Sequence, residues 1–413
     1  MTKGATYQGQ RPRKDRAPRV MLYSHDTFGL GHLRRSRALA GAITRADPEA
    51  SALILTGSPV AGRFAFPHRV DHVRLPGVTK RSDGSYVAQT LGMDIEEITE
   101  LRAALIETSA RQYDPDILIV DKEPTGFRGE LLPTLDALRA AGRAQLVLGL
   151  RDVLDDPALL AAEWERKGAI EATRSYYDEI WVYGLREFYD PVAELPLGPA
   201  VRARMHWTGY LRRDLGQSAP PPMEGPYILI TPGGGGDGEF MVDLVLSAYE
   251  SDPTLAPHAV IVYGPFLSGE TREDFETRVA RLGGRVSAVG FESRIEPLFA
   301  NAQGVVCMGG YNTFCEVLSF DRRAVIVPRT TPRLEQWLRA SRAEELGLVR
   351  MLEDGRDGLT TAAMIRAIRD LPNQLLPSQA MANSRLSGLL DGLDYITRRV
   401  NALLHQHPGQ AAE

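Results

Sequence analysis

The chain has 413 residues and a mass of 45.4 kDa, with 43% hydrophobic and 24% charged residues and a formal net charge of -5. That length exceeds one ordinary core and predicts two domains, and the acidic balance argues against a general nucleic-acid binder. Cys307 and Cys315 are too few for a disulfide framework or a zinc site, and buried thiols in a reducing compartment are the expectation. No run approaches the roughly 18 apolar residues of a membrane span, and no hydrophobic signal core opens the chain, so a cytoplasmic protein is expected.

The first stretch carries Lys3, Arg11, Arg13, Lys14, Arg16 and Arg19 among Gly, Gln and Pro. Residues 1–18 therefore predict a disordered, solvated basic arm; attraction to an acidic acceptor or to the inner face of a membrane is the alternative. Residues 20–24 form a short apolar run, and residues 33–44 repeat apolar side chains at helical spacing, so the two bracket a strand-loop-helix unit. The loop between them includes His25, Asp26, Gly29, Gly31 and His32, at the carboxyl end of a strand where open parallel sheets bind ligands. Position 34 is Arg, so the full GxGxxG fingerprint of a dinucleotide site is missing. Histidine titrates near neutral pH and can take a proton from an acceptor hydroxyl, which makes His32 at the helix start the candidate base and a capping or structural histidine the alternative. Arg34, Arg35 and Arg37 predict a solvated helix face, or else a nearby anion-bearing acceptor.

Strands near 52–55 and 69–75, a helix over 93–111 and a strand at 117–120 alternate in the way of an α/β domain with a parallel sheet covered on both faces. Asp114-Pro115-Asp116 has the spacing by which some metal-dependent transferases hold a nucleotide, but it precedes a strand, at the wrong end of the sheet, and is read as a turn. In Asp121-Lys122-Glu123-Pro124, just past that strand and on the binding side, the charged residues are expected either to line an acceptor cleft or to belong to an ordinary surface loop. Strands at 145–150 and 179–183 follow. Tyr176, Tyr177, Trp181, Tyr183, Phe188 and Tyr189 are read as core packing in preference to a sugar or lipid platform.

Pro220, Pro221 and Pro222 mark residues 216–226 as a stiff linker between a first domain at 19–215 and a second at 227–372, with a helical segment at 373–413. The strand at 227–231 leads into Gly233, Gly234, Gly235 and Gly236, whose amides are free to converge on an anion; the Lys-Ser/Thr of a Walker loop is absent. Strands at 258–263 and 285–289 precede Phe291 and Ser293, and Ser293 is expected to cap a short helix. Residues 305–318 combine a buried strand, Gly309 and Gly310, and a helix start with Tyr311, Asn312 and Thr313. The helix would aim its positive end at an anion and hold Glu316 about one turn past Asn312, the pattern of a phosphate-and-ribose site; a tight turn with no ligand fits the stretch equally well. A last clear strand at 323–327 precedes a helix over 335–346, where Glu335 and Gln336 can hydrogen-bond sugar hydroxyls or simply enrich a helix start. Residues 379–405 are largely helical by composition.

Over residues 227–352 the chain resembles the C-terminal domain of glycosyltransferase family 28, the group containing the N-acetylglucosaminyltransferase of the peptidoglycan lipid precursor. The matching pieces are Gly309 to Thr313 leading to Glu316, then Val325-Ile326-Val327-Pro328-Arg329, and Glu335-Gln336 with Arg339-Ala340; Gly29-Leu30-Gly31-His32 and Thr208-Gly209 match in the first half. The resemblance implies the GT-B arrangement, two Rossmann-like domains with parallel sheets facing a central cleft. It implies that Glu316 binds the donor ribose, that Gly233 to Gly236 and Gly309 to Thr313 hold the diphosphate, that the backbone at Phe291 meets the base, and that Glu335 and Gln336 meet the sugar. His32 corresponds to the histidine of acceptor activation, with His25, Asp26, Gly29, Gly31, Arg34, Asp121 and Glu123 on the acceptor side. The expected function is an inverting, metal-independent glycosyltransferase with no cofactor besides its nucleotide-sugar co-substrate, expected to carry UDP, and an acceptor that is a glycan, a lipid-linked or a small molecule. A nucleotide-sugar hydrolase or epimerase on the same scaffold, or a non-catalytic nucleotide-sugar-binding protein, is the alternative. Glycine amides and a helix start can stabilise a diphosphate leaving group without a metal, and domain closure would bring His32 to the acceptor.

Overall fold

The computed structural model describes residues 16–25, 30–81, 85–215, 225–234, 236–353, 358–384 and 386–405. The arm up to residue 15, Asp26 and Gly29 of the first loop, residues 216–224 of the linker and Gly235 lie outside the described residues.

The first domain contains β1 (Arg19–Ser24), β2 (Ser51–Thr56), β3 (Val70–Arg74), β4 (Val78–Lys80), β5 (Tyr86–Ala88), β6 (Ile117–Asp121), β7 (Gln145–Arg151), β8 (Glu179–Tyr183) and β9 (Met205–Trp207). Seven of these form one parallel sheet in the order β3-β2-β1-β6-β7-β8-β9, while β4 and β5 make a separate antiparallel hairpin. The second domain contains β10 (Tyr227–Thr231), β11 (His258–Val262), β12 (Val286–Val289), β13 (Gly304–Cys307), β14 (Arg323–Ile326) and β15 (Arg350–Met351), all parallel in the order β12-β11-β10-β13-β14-β15. The central strands are continuous apolar runs because helices cover both faces of each sheet: every residue of β6, β8, β10 and β13 is buried. In each sheet the chain order reverses at one place, between β1 and β6 and between β10 and β13. Loops leaving the carboxyl ends of such a pair diverge and open a crevice, so four loops, after β1, β6, β10 and β13, define where ligands bind.

One apolar cluster runs through both domains. Phe188 and Tyr210 from the first half meet Tyr311 and Phe314 from the second, with Tyr210 stacked on Tyr311 at 5.7 Å between ring centroids and edge-on to Phe314 at 5.2 Å. Beside them lies a wholly buried ion pair: Arg339 donates to Asp152 through Nε at 2.7 Å and Nη2 at 2.6 Å, and its Nη1 donates to the carbonyl of Gly309 at 2.9 Å. The Tyr210 hydroxyl completes the carboxylate's shell with a 2.6 Å bond to Asp152. Tyr177, Trp181 and Tyr183 are fully buried, as core packing requires.

Asp114 ends a helix in the left-handed region, φ 49, and with Asp116 binds the Arg16 guanidinium; this turn precedes β6, away from the crevice. Two local expectations fail. The helix Glu296–Asn301 starts at Ile295 without a side-chain cap, so Ser293 does not cap it. The segment expected to be largely helical over 379–405 is broken into Pro377–Ala382 and Gly392–His405. The break lets the chain cross back: the Tyr210 N–H donates to the Leu389 carbonyl at 2.6 Å, and a Cβ on Gly392 would sit 2.5 Å from the Gly209 carbonyl oxygen. The last helix then packs on the first domain, where Arg399 pairs with Glu179 and the Tyr395 hydroxyl meets His206 Nδ1 at 2.9 Å. Cys307 and Cys315 are buried; burial pushes their thiols up to about 12 and about 11, which leaves them unreactive.

Candidate functional site

The four loops enclose a cleft of about 550 Å³ between the domains. On the first-domain wall the helix Gly31–Ala46 begins right after the β1 loop, which sets His32 in its first turn, facing the cleft. Asp121, the last residue of β6, stands behind it: His32 Nδ1 lies 2.5 Å from Asp121 Oδ2. Asp121 also receives both arms of Arg35, Nε at 2.8 Å and Nη2 at 2.6 Å. A contact of 2.5 Å to a carboxylate requires a proton between the atoms, and the imidazole supplies it, so Nδ1 carries hydrogen and the Nε2 lone pair is left on the cleft side. Burial alone would raise the Asp121 carboxyl; Arg35 and then His32 outweigh it and hold it well below the usual carboxylate range. The expectation that Asp121 lines the cleft is therefore corrected. It is 3% exposed, a support for the ring in front of it.

His25 lies edge-on to His32 with centroids 5.8 Å apart, and its Nδ1 is 3.4 Å from the Tyr23 hydroxyl. Burial, opposed by Glu123, pushes it down to about 3, so its ring is neutral near pH 7. The arginines after His32 do not form a solvated face. Arg35 is buried on Asp121, Arg37 lies over Phe64 at 4.7 Å, and Arg34 crosses the cleft to pair with Glu316, with Glu296 at 3.6 Å. Arg35 and Arg37 are thus held by first-domain partners, and only Arg34 is held by the second domain.

On the opposite wall, Gly309 holds φ 74, and a Cβ there would meet Ile326 Cγ2 at 2.7 Å; glycine alone lets β13 turn directly into the helix Tyr311–Ser319. That helix has Gly310 at its N-cap and no side chain capping it, so the amide donors of its first turn are left for a ligand. Gly233, Gly234, Gly310, Asn312 and Thr313 line the cleft facing it, whereas Gly309 and Gly236 do not line it. Tyr311 also lines the cleft, and its ring lies at the domain junction between Arg35 at 5.3 Å and Arg339 at 5.8 Å. Asn312 ties the domains together: its Nδ2 donates to the Gly31 carbonyl at 2.9 Å and its Oδ1 accepts from Arg213 at 2.8 Å. Burial pushes the Glu316 carboxyl up to about 7 against the pull of Arg34. Phe291 stands edge-on to Phe64 at 5.9 Å, on the rim.

Also lining the cleft, Glu335 pairs with Arg151 and, at 3.3 Å, with Arg329. Burial would raise its carboxyl; Arg151 and Arg339 bring it well below the usual range. Gln336 Oε1 accepts the Arg329 backbone N–H at 3.1 Å. Lys122 and Glu123 line the cleft, and four cationic residues given no role from sequence, Arg151, Lys167, Arg329 and Arg333, line it with them. Of these four, Arg151 carried a signal, since it stands at the carboxyl end of a strand. Among the described residues no group of three or more His, Cys, Asp or Glu is placed to hold a metal ion, and no helix is long and apolar enough to cross a membrane.

Residues 228–393 match the model of the glycosyltransferase family 28 C-terminal domain. That stretch, about two fifths of the chain, is similar to the family 28 C-terminal domain. The whole chain is similar in structure to the calicheamicin glycosyltransferase CalG4, at 17% identity and a TM-score of 0.57 over 96% of this chain and 100% of that one. It is similar to Phytolacca americana UGT2 complexed with UDP-2-fluoroglucose and pterostilbene, at 14% identity, TM-score 0.59, and coverage of 94% and 100%. It is also similar to a UDP-N-acetylglucosamine 2-epimerase, at 13% identity, TM-score 0.60, and coverage of 96% and 100%. At such identities the likeness establishes the fold: two Rossmann-like domains about a cleft, the GT-B arrangement, with the residues that match the family 28 model in its second half. No curated protein matches the chain by sequence.

Proposed function

We propose that the protein is an inverting glycosyltransferase in which the family 28 domain holds a nucleotide-diphosphate sugar and the first domain offers an acceptor hydroxyl to His32. The observation that carries this reading is the His32–Asp121 contact standing across one cleft from the uncapped helix start at Gly310. In the reaction the acceptor oxygen bonds to the anomeric carbon as the bond from that carbon to the diphosphate oxygen breaks, with inversion. The acceptor proton passes to His32 Nε2, and the imidazolium so formed is stabilised by Asp121. His25, neutral and without a carboxylate on its ring, is the poorer base. Charge developing on the leaving diphosphate meets the amides of Gly310 to Thr313 and the loop at Gly233 and Gly234, which supports a reaction independent of metal. Glu316 is assigned to the ribose hydroxyls, and Glu335 with Gln336 to the sugar.

The similar structure holding UDP-2-fluoroglucose supports uridine as the base, and the resemblance to the peptidoglycan-precursor transferase makes UDP-N-acetylglucosamine the first donor to try. The test is turnover with a panel of nucleotide sugars and hydroxyl acceptors, with and without EDTA, reading the product anomer by NMR. Strict metal dependence, retention of configuration, or failure of every donor to bind would sink the proposal. The likeness to an epimerase favours one second reading, attack by water or isomerisation of the sugar itself; full-rate release of free or epimerised sugar with no acceptor present would establish that instead.

A further inference from the structure

The chain has five lysines among its 48 basic residues, and two of them, Lys122 and Lys167, stand in one wall of the cleft. Lys122 follows Asp121 directly. Its backbone is in the left-handed region, φ 72, where glycine suffers no steric penalty and a lysine does, while its N–H donates to the Gly149 carbonyl at 2.8 Å. A strained backbone kept at a site is a pointer to what the side chain does there.

That side chain is short of counter-charge. Its one ion-pair partner among the described residues is Glu123, at 3.5 Å, and Glu123 is shared with Lys167 at 3.1 Å. The guanidinium groups of Arg333 and Arg151 act on it with the same sign, and their own carboxylates are committed: Arg333 to Asp155 at 2.9 Å and Glu163 at 3.2 Å, Arg151 to Glu335. Burial, opposed by Glu123 and more weakly by Glu335 and reinforced by Arg333 and Arg151, brings the ammonium down to about 8. His25 adds no charge.

We propose that Lys122, backed by Arg151 and Arg333, is an anion subsite beside His32 that takes a carboxylate or phosphate carried by the acceptor or by the transferred sugar. An ammonium that lacks a full partner in a partly dry pocket gains one when such a ligand binds. The charge of Lys122 is felt by His25, whose ring lies 5.8 Å from that of His32, so the anion would sit near the reacting hydroxyl and the subsite would select substrates by charge. This rests on the function proposed above.

The test has two readouts. Lys122 in the full chain is acetylated at about pH 8 and followed by peptide mass spectrometry, with inorganic phosphate as the probe; protection of Lys122 of about fivefold or more is expected, and none overturns the subsite. Binding is then measured by calorimetry for UDP-glucuronate against UDP-glucose, and, with UDP present, for glucose phosphate against glucose. The anionic member of one pair should bind about tenfold tighter, the donor pair marking a charged sugar and the other a charged acceptor, and Lys122→Gly should lose the preference. Lys122→Gly is also expected to melt no lower than the parent, since glycine suits φ 72. Equal affinity within both pairs, or a preference that survives Lys122→Gly, overturns the subsite while the transferase reading stands. Phosphate protection of Lys122 with no nucleotide sugar binding would keep the subsite and remove the transferase reading.

Discussion

Arg34 of the first domain is ion-paired with Glu316 of the second, so the carboxylate assigned to the ribose already has a partner. A donor must displace that guanidinium, and the diphosphate is the nearest anion to receive it. Removing Glu316 forfeits hydrogen bonds to a charged group, worth about 1.5–3 kcal/mol. Glu316→Ala is therefore expected to raise the donor KM by about tenfold to a hundredfold with a smaller change in kcat, measured by steady-state kinetics. Arg34→Met should lower the melting temperature of the free protein, and saturating donor should recover much of the loss.

His32→Ala should do the reverse of Glu316→Ala. Loss of a positioned base lowers turnover by about 10²–10⁴-fold, with donor affinity by calorimetry nearly unchanged. Asp121→Asn should lower both turnover and stability, because it loosens the ring and strands the buried Arg35 guanidinium at a cost of about 3–5 kcal/mol. Chemical denaturation of the two variants separates these roles: only Asp121→Asn should shift the midpoint strongly.

Stability should depend on pH in two windows of opposite sign. Asp121, Glu123 and Glu335 have carboxyls held below their unfolded values, so their contribution is present above about pH 4 and is lost as pH falls through the folded values. Glu316, raised to about 7, binds its proton more tightly when folded, so its ionisation subtracts stability as pH rises from about 4 to about 7. Thermal melts should show the acid loss in the parent protein, less of it in Asp121→Asn, and a flatter neutral limb in Glu316→Gln. Donor affinity should rise with pH through about 7 as the carboxylate forms.

Arg339→Leu should destabilise by about 3–5 kcal/mol, because it leaves the Asp152 carboxylate buried without its cation. Adding Asp152→Asn should return part of that loss. A double-mutant cycle on denaturation free energies measures the coupling; additive effects would mean the pair does not join the domains.

The sheets and three of the four ligand loops were legible in the sequence because each is punctuated locally: an apolar run, then Gly31 with His32, Gly233 with Gly234, or Gly309 with Gly310. The break before Gly392 was not, since apolar spacing continues across it and only backbone contact with Gly209 makes it necessary. Partnerships were hidden for the same reason. Asp121 lies 89 residues from His32 and Glu316 lies 282 from Arg34, and a pattern of near neighbours carries no trace of such pairings. Hence three arginines looked solvent-facing and Asp121 looked like a cleft residue, although Arg35 and His32 close over Asp121 within the first domain and Arg34 reaches Glu316 in the second.

The apolar cluster that runs through both halves, with Asp152 and Arg339 inside it, bears on how this scaffold can be engineered. Exchanging whole domains between relatives at the proline-rich linker assumes that each half is a separable module. Here a foreign first domain would have to bring its own acid opposite Arg339 and its own aromatic against Tyr311, so productive chimeras should be cut inside the domains, with the junction inherited as one piece.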